Sequence, residues 1–156
     1  MPQKFGFEVF KSQEEFEGYK TQLLREKHEL AKQFESENLK EGSGKIKANF
    51  MSKSYVDGSK YKGQFVNSKR HGLGIYYYSN GDIYGGHWAN DVFDGEGFYI
   101  FNNGERYQGQ LKAGKKHGQG RYFYANGRIY NGNWAFDNKN GKGSFINLKN
   151  GGKKKV

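Results

Sequence analysis

Four histidines and sixteen carboxylates are the side chains from which this 156-residue chain could build a catalytic or metal site, and its 24 glycines could cradle a phosphate. His71 and His117 each stand one place before a Gly-x-Gly pair. A shared metal would need both rings within about 2.1 Å of it. The two residues instead occupy the same place in units two apart along a repeat, which separates them by roughly 20 Å. His87 has no cysteine to join, because the chain contains none; disulfide and thiolate chemistry are excluded and the redox compartment stays open. The "GSGK" of Gly42–Lys45 lacks the spacing of a phosphate loop, and Ile46 fills its Ser/Thr place. The Gly-x-Gly pairs fall inside strand patterns rather than between a strand and a helix, which rules out a dinucleotide fingerprint. Acidic residues are scattered, with no pair placed for acid–base work. The expectation is a protein without catalytic residues, cofactor or metal.

Charge offers a second chemistry. The net charge is +10, unevenly spread: residues 1–44 hold seven Lys/Arg against nine Asp/Glu, whereas residues 45–156 hold nineteen against seven. Lys69 and Arg70 read as part of the loop of one unit, Lys112, Lys115 and Lys116 as part of another, and Lys153, Lys154 and Lys155 as a short tail. Such residues could meet acidic phospholipid headgroups, each worth about 1 kcal/mol near the surface. Equally, they could be a solvated edge that keeps strands from pairing with other chains. Asp91 with Asp94, and Asp137 with Lys139, interrupt the basic edge. Nucleic acid is a weaker candidate partner, since bases stack on aromatics amid cations but the rings here have another use.

The elements that would carry these residues divide in two. Only 34% of residues are hydrophobic and half of that share is aromatic, so the chain must bury rings against something thin. Disordered chains are poor in aromatics, which argues against that class. No apolar run approaches the roughly 20 residues of a membrane span, and "MPQKFGFEVF" resembles neither a signal nor a transit peptide, so a cytoplasmic location is expected. In residues 1–44, Phe5, Phe7 and Val9 alternate as a short strand or extended anchor. Ser12 and Glu15 match a capping box. Phe16, Tyr19, Leu23, Leu30 and Phe34 then form one apolar stripe, predicting an amphipathic helix over about 13–39 that ends before Gly42 and Gly44.

Residues 45–151 repeat. "YKGQFVNSKRHGLGIYYYSNGDI" from Tyr61 returns from Tyr84, Tyr107 and Tyr130, giving units 61–83, 84–106, 107–129 and 130–151 after a half unit at about 45–60; residues 152–156 are the basic tail. Asn80-Gly81, Asn103-Gly104 and Asn126-Gly127 read as tight primed hairpin turns. Strand alternation puts Tyr61, Gly63 and Phe65, and then Gly72, Gly74 and Tyr76, on one face, where rings cover bare glycine backbone. Leu73, Ile75, Tyr77, Phe98, Ile100, Phe123 and Ile146 fall on the other face. That apolar line needs a cover, either the chain's own helix or a partner's.

The columns Tyr-x-Gly-x-Trp/Phe followed by Gly-x-Gly-x-Tyr/Phe resemble the MORN repeat (membrane occupation and recognition nexus) over roughly residues 55–151. The resemblance implies a mainly β fold, an elongated single-layer antiparallel sheet of hairpins, here with one N-terminal helix outside the motif. It further implies a non-catalytic scaffold that binds other proteins in a larger assembly. The expected setting is cytoplasmic, ciliary or axonemal (radial-spoke-like) or cytoskeletal. A membrane-surface adaptor for acidic phospholipids is the alternative.

Overall fold

In the computed structural model, which describes residues 10–39 and 49–147, every strand pairs with the strands before and after it in the chain. The order is β1 (Phe50–Ser54), β2 (Lys60–Val66), β3 (Lys69–Tyr77), β4 (Ile83–Ala89), β5 (Val92–Ile100), β6 (Arg106–Lys112), β7 (Lys115–Phe123), β8 (Arg128–Ala135) and β9 (Asn138–Asn147). All neighbours are antiparallel. This is the expected single open sheet, with one helix beside it.

The turns differ from the sequence expectation. The primed turns lie within the units, not between them. Residues Asn67-Ser68, Asn90-Asp91, Ala113-Gly114 and Phe136-Asp137 all have positive φ and join β2–β3, β4–β5, β6–β7 and β8–β9. Their mirror-image geometry matches the twist of the flanking strands. The Asn-Gly dipeptides instead close longer turns in which only the glycine has positive φ, as at Gly81 (+99°). There the asparagine side chain takes the N–H two residues on: Asn80 from Asp82 (2.9 Å), Asn103 from Glu105 (3.0 Å) and Asn126 from Arg128 (3.0 Å). An asparagine that hydrogen-bonds its own turn keeps ordinary φ.

Each unit also carries a β-bulge, where the register shifts between Gly63 and Phe65, Gly86 and Trp88, Gly109 and Leu111, and Gly132 and Trp134. The two glycines of each Gly-x-Gly therefore do different jobs. The first, at 72, 95, 118 and 141, supplies the left-handed backbone of the bulge, with φ from +71° to +109°. The second, at 74, 97, 120 and 143, lies under the ring of Tyr61, Tyr84, Tyr107 or Tyr130, leaving no room for a β-carbon.

Helix α1 (Gln13–Phe34) continues as one π-helical turn, Glu35–Leu39. Ser12 Oγ accepts the N–H of Glu15 at 3.1 Å, and the Glu15 carboxylate accepts the N–H of Lys11 at 2.6 Å. Tyr19, Leu23, Lys27 and Ala31 are buried at a strict four-residue spacing. The helix crosses the strands backwards along the sheet. Leu23 packs on the Gly104 turn, the Lys27 ammonium donates to the Gly81 carbonyl (2.8 Å), and Phe34 meets Phe98 edge-on at 5.6 Å.

Candidate interaction faces

The first face is the ring face. Tyr61, Phe65, Tyr84, Trp88, Tyr107, Leu111, Tyr130 and Trp134 are buried together in it, flanked by half-buried Tyr55, Tyr76, Tyr78, Phe93, Tyr99, Tyr122 and Tyr124. Each buried tyrosine ring crosses its glycine, and three of the hydroxyls reach the bulge carbonyl beyond it: Tyr61 to Gln64 (2.9 Å), Tyr84 to His87 (2.9 Å) and Tyr107 to Gln110 (2.7 Å). Burial pushes all three phenols above their ordinary pKa. Indole N–H groups add Trp88 to the Gly74 carbonyl (3.1 Å) and Trp134 to that of Gly120 (3.2 Å).

Cations close the edge of this layer. Arg70 stands 5.0 Å from the Tyr76 ring and 5.1 Å from Trp88, and pairs with Asp91 at 3.0 Å. Two units on, Lys116 stands 5.3 Å from Trp134 and pairs with Asp137 at 3.4 Å. Some burial works against the charge of Asp91, but the Arg70 N–H and guanidinium outweigh it and hold the carboxyl below its ordinary pKa. His71 and His117 sit at the same positions in those units; their Nδ1 atoms accept the N–H of Asn90 (3.2 Å) and Phe136 (3.4 Å). They bridge successive turns and stand far from each other's site.

The basic residues need a correction. Lys69, Arg70, Lys112, Lys115 and Lys116 are not loop residues: they lie in β3, β6 and β7, because the turns take only two residues. Arg70 and Lys116 are turned onto rings and paired with carboxylates, whereas Lys69, Lys112 and Lys115 are exposed. Lys153, Lys154 and Lys155 lie outside the described residues, as do Phe5, Phe7, Val9, Gly42 and Gly44.

The second face carries the helix. Ile75, Ile83 and Ile100 are buried with Ala31 and Leu39, and Leu30, Phe34, Leu73, Tyr77 and Phe98 pack against that cluster. Glu35 joins the two parts, accepting from the Tyr77 hydroxyl and from Lys62 at 3.1 Å. Phe123 and Ile146 stand outside the cluster; Phe123 lies beneath the guanidinium of Arg106, 3.9 Å from its centroid, which also meets Glu26 at 3.4 Å. Phe16 meets Phe10 at 5.6 Å. The sequence reading missed Lys27, Ala31 and Leu39 on the helix and Ile83 on the sheet. A lysine and an alanine carry no hydropathy signal, but their spacing of four from Leu23 could have placed them on the buried line.

Among the described residues no group of three or more His, Cys, Asp or Glu side chains is placed to hold a metal, and no helix is long and apolar enough to cross a membrane.

No curated protein matches the chain. The family model of the MORN repeat matches residues 61–83, 84–106, 107–127 and 130–146, more than half of the chain. Repeats of this type serve as interaction modules toward proteins and membranes. With its four matched units, one hairpin each, this chain belongs to the MORN repeat family.

Proposed function

We propose that this protein is a non-catalytic scaffold that holds partner proteins on its ring face while its own helix closes the other. One observation carries the reading. Tyr78, Phe93, Tyr99, Phe101, Tyr122 and Tyr124 are only half buried, Phe145 is 50% exposed, and no second layer covers them among the described residues. A contiguous aromatic surface on a sheet with fixed register suits recognition by shape. The helix face, by contrast, has Ile75 and Ile100 fully buried by residues of the same chain. For the setting, we propose a ciliary or cytoskeletal assembly, on the resemblance of this chain to short MORN-repeat proteins alone. The test is affinity purification from native cells with the parent chain and with Phe101→Glu plus Tyr124→Glu. The variant should lose specific partners while keeping the parent's circular dichroism, and localisation of a tagged chain tests the setting.

A membrane-surface role is the second reading, favoured by the edge formed by the primed turns. Exposed Lys69, Lys112 and Lys115 stand there with exposed Val66, Val92 and Phe136. Cations beside short apolar side chains suit an anionic lipid surface. Vesicles containing phosphatidylserine should then bind at low salt and release at high salt, and neutralising the three lysines should abolish binding.

A further inference from the structure

We infer that the third repeat contains a receptor pocket for one aromatic side chain, best a tryptophan, presented by an acidic segment of a partner protein. The inference rests on the ring face being the protein-binding face and specifies where and what it binds. The column that holds Trp88 and Trp134 holds Leu111 between them. Trp134 is ringed by Tyr107 (5.5 Å), Tyr122 (6.2 Å), Tyr130 (5.3 Å), Lys116 and Lys139. Moved back by one unit, those neighbours are Tyr84, Tyr99, Tyr107, Phe93 and Lys116. Four of them, Phe93, Tyr99, Tyr107 and Lys116, line an open cavity of about 220 Å³ beside Leu111, with Asp137 on its rim. The chain thus builds the walls of an indole site and supplies a leucine.

Size and polarity select the occupant. The cavity is smaller than the roughly 300–1,000 Å³ of small-molecule sites. It exceeds the volume of about 150 Å³ that suffices for benzene in an apolar cavity. One side chain fits that range. In the neighbouring units the indole N–H reaches the carbonyl of Gly74 or Gly120; the equivalent carbonyl is that of Gly97, to which Leu111 offers no donor. Lys116 at the wall is neutralised by Asp137, so it is the excess of nineteen cations over seven carboxylates in residues 45–156 that favours an acidic flank on the partner.

The experiment uses free indole and two short acidic peptides, identical except for tryptophan or alanine at the centre. Indole should shift the backbone amide NMR signals of Gly97, Gly114 and Lys116 in the full chain. The tryptophan peptide should bind roughly thirtyfold tighter than its twin. Leu111→Trp should fill the site with the chain's own indole, melt at or above the parent temperature, and lose that thirtyfold advantage. Shifts elsewhere, equal binding of the two peptides, or a Leu111→Trp chain that keeps the preference would each overturn the pocket. The shifts on the parent chain decide the question even if the variant fails to fold. Partners captured by the ring face that survive Leu111→Trp would also remove the pocket, while leaving the scaffold reading intact.

Discussion

The ring of Tyr84 lies across Gly97 on the next strand so closely that a β-carbon there would overlap the phenol, and past the glycine its hydroxyl donates to the His87 carbonyl at 2.9 Å. One side chain thereby covers bare backbone and satisfies a carbonyl that the bulge withdraws from the ladder. Tyr61 with Gly74 and Tyr107 with Gly120 repeat the arrangement.

Two substitutions separate those roles. Gly97→Ala forces the ring aside and should cost about 1–3 kcal/mol as overpacking. Tyr84→Phe keeps the ring but orphans the carbonyl, costing about 1–3 kcal/mol. Urea denaturation of each variant measures both.

High pH should unfold the sheet cooperatively. Burial holds the phenols of Tyr61, Tyr84, Tyr99, Tyr107 and Tyr122 above their ordinary value of 10.0, and Tyr19 is pushed up to about 12. The folded state therefore retains protons that the unfolded chain releases. The contribution of these phenols to stability should be constant below about pH 10 and fall as pH rises above it, with the share of Tyr19 lost between about 10 and 12. Phenolate absorbance and the urea midpoint followed together against pH should change in one window.

Arg70→Ala removes a cation from the faces of Tyr76 and Trp88 together with its aliphatic cover, and should cost about 1–2 kcal/mol. Asp91→Asn removes only the carboxylate of the half-exposed ion pair and should cost less than about 1 kcal/mol. Thermal melts at low and high salt compare them: added salt should shrink the second loss strongly and the first only by its ion-pair share, leaving the lost ring cover.

Ala31→Glu places a charge among Ile75, Ile83 and Ile100, where burial is too costly to keep. The expected result is a released helix on an intact sheet. Amide exchange should speed up in residues 13–39, while the central strands β4 to β7 keep their protection. Loss of protection in those strands as well would show that the helix is part of one cooperative unit with them.

Much of this architecture is written in local rules. Ring, glycine and asparagine columns at fixed spacing determine strand alternation, unit length and the face on which rings lie, because each depends on neighbours one or two strands away. The Ser12 cap and the spacing of Tyr19 and Leu23 likewise determine a helix. Tertiary structure decided what those rules leave open. The primed turns fell to pairs such as Ala113-Gly114 and Phe136-Asp137 within the units, while the Asn-Gly dipeptides close the longer turns between units, where the asparagine side chain bonds its own turn. Arg70 and Lys116 became parts of the ring layer rather than free edge charges, because short turns bring them over the rings. The helix covers Ile75 and Ile100 but not Phe123, since its track depends on long-range contacts of Leu23, Lys27 and Phe34 with separate turns and strands. Leu111 looks conservative in the sequence. Only packing shows that it leaves an indole's place open, because a cavity belongs to the residues around it.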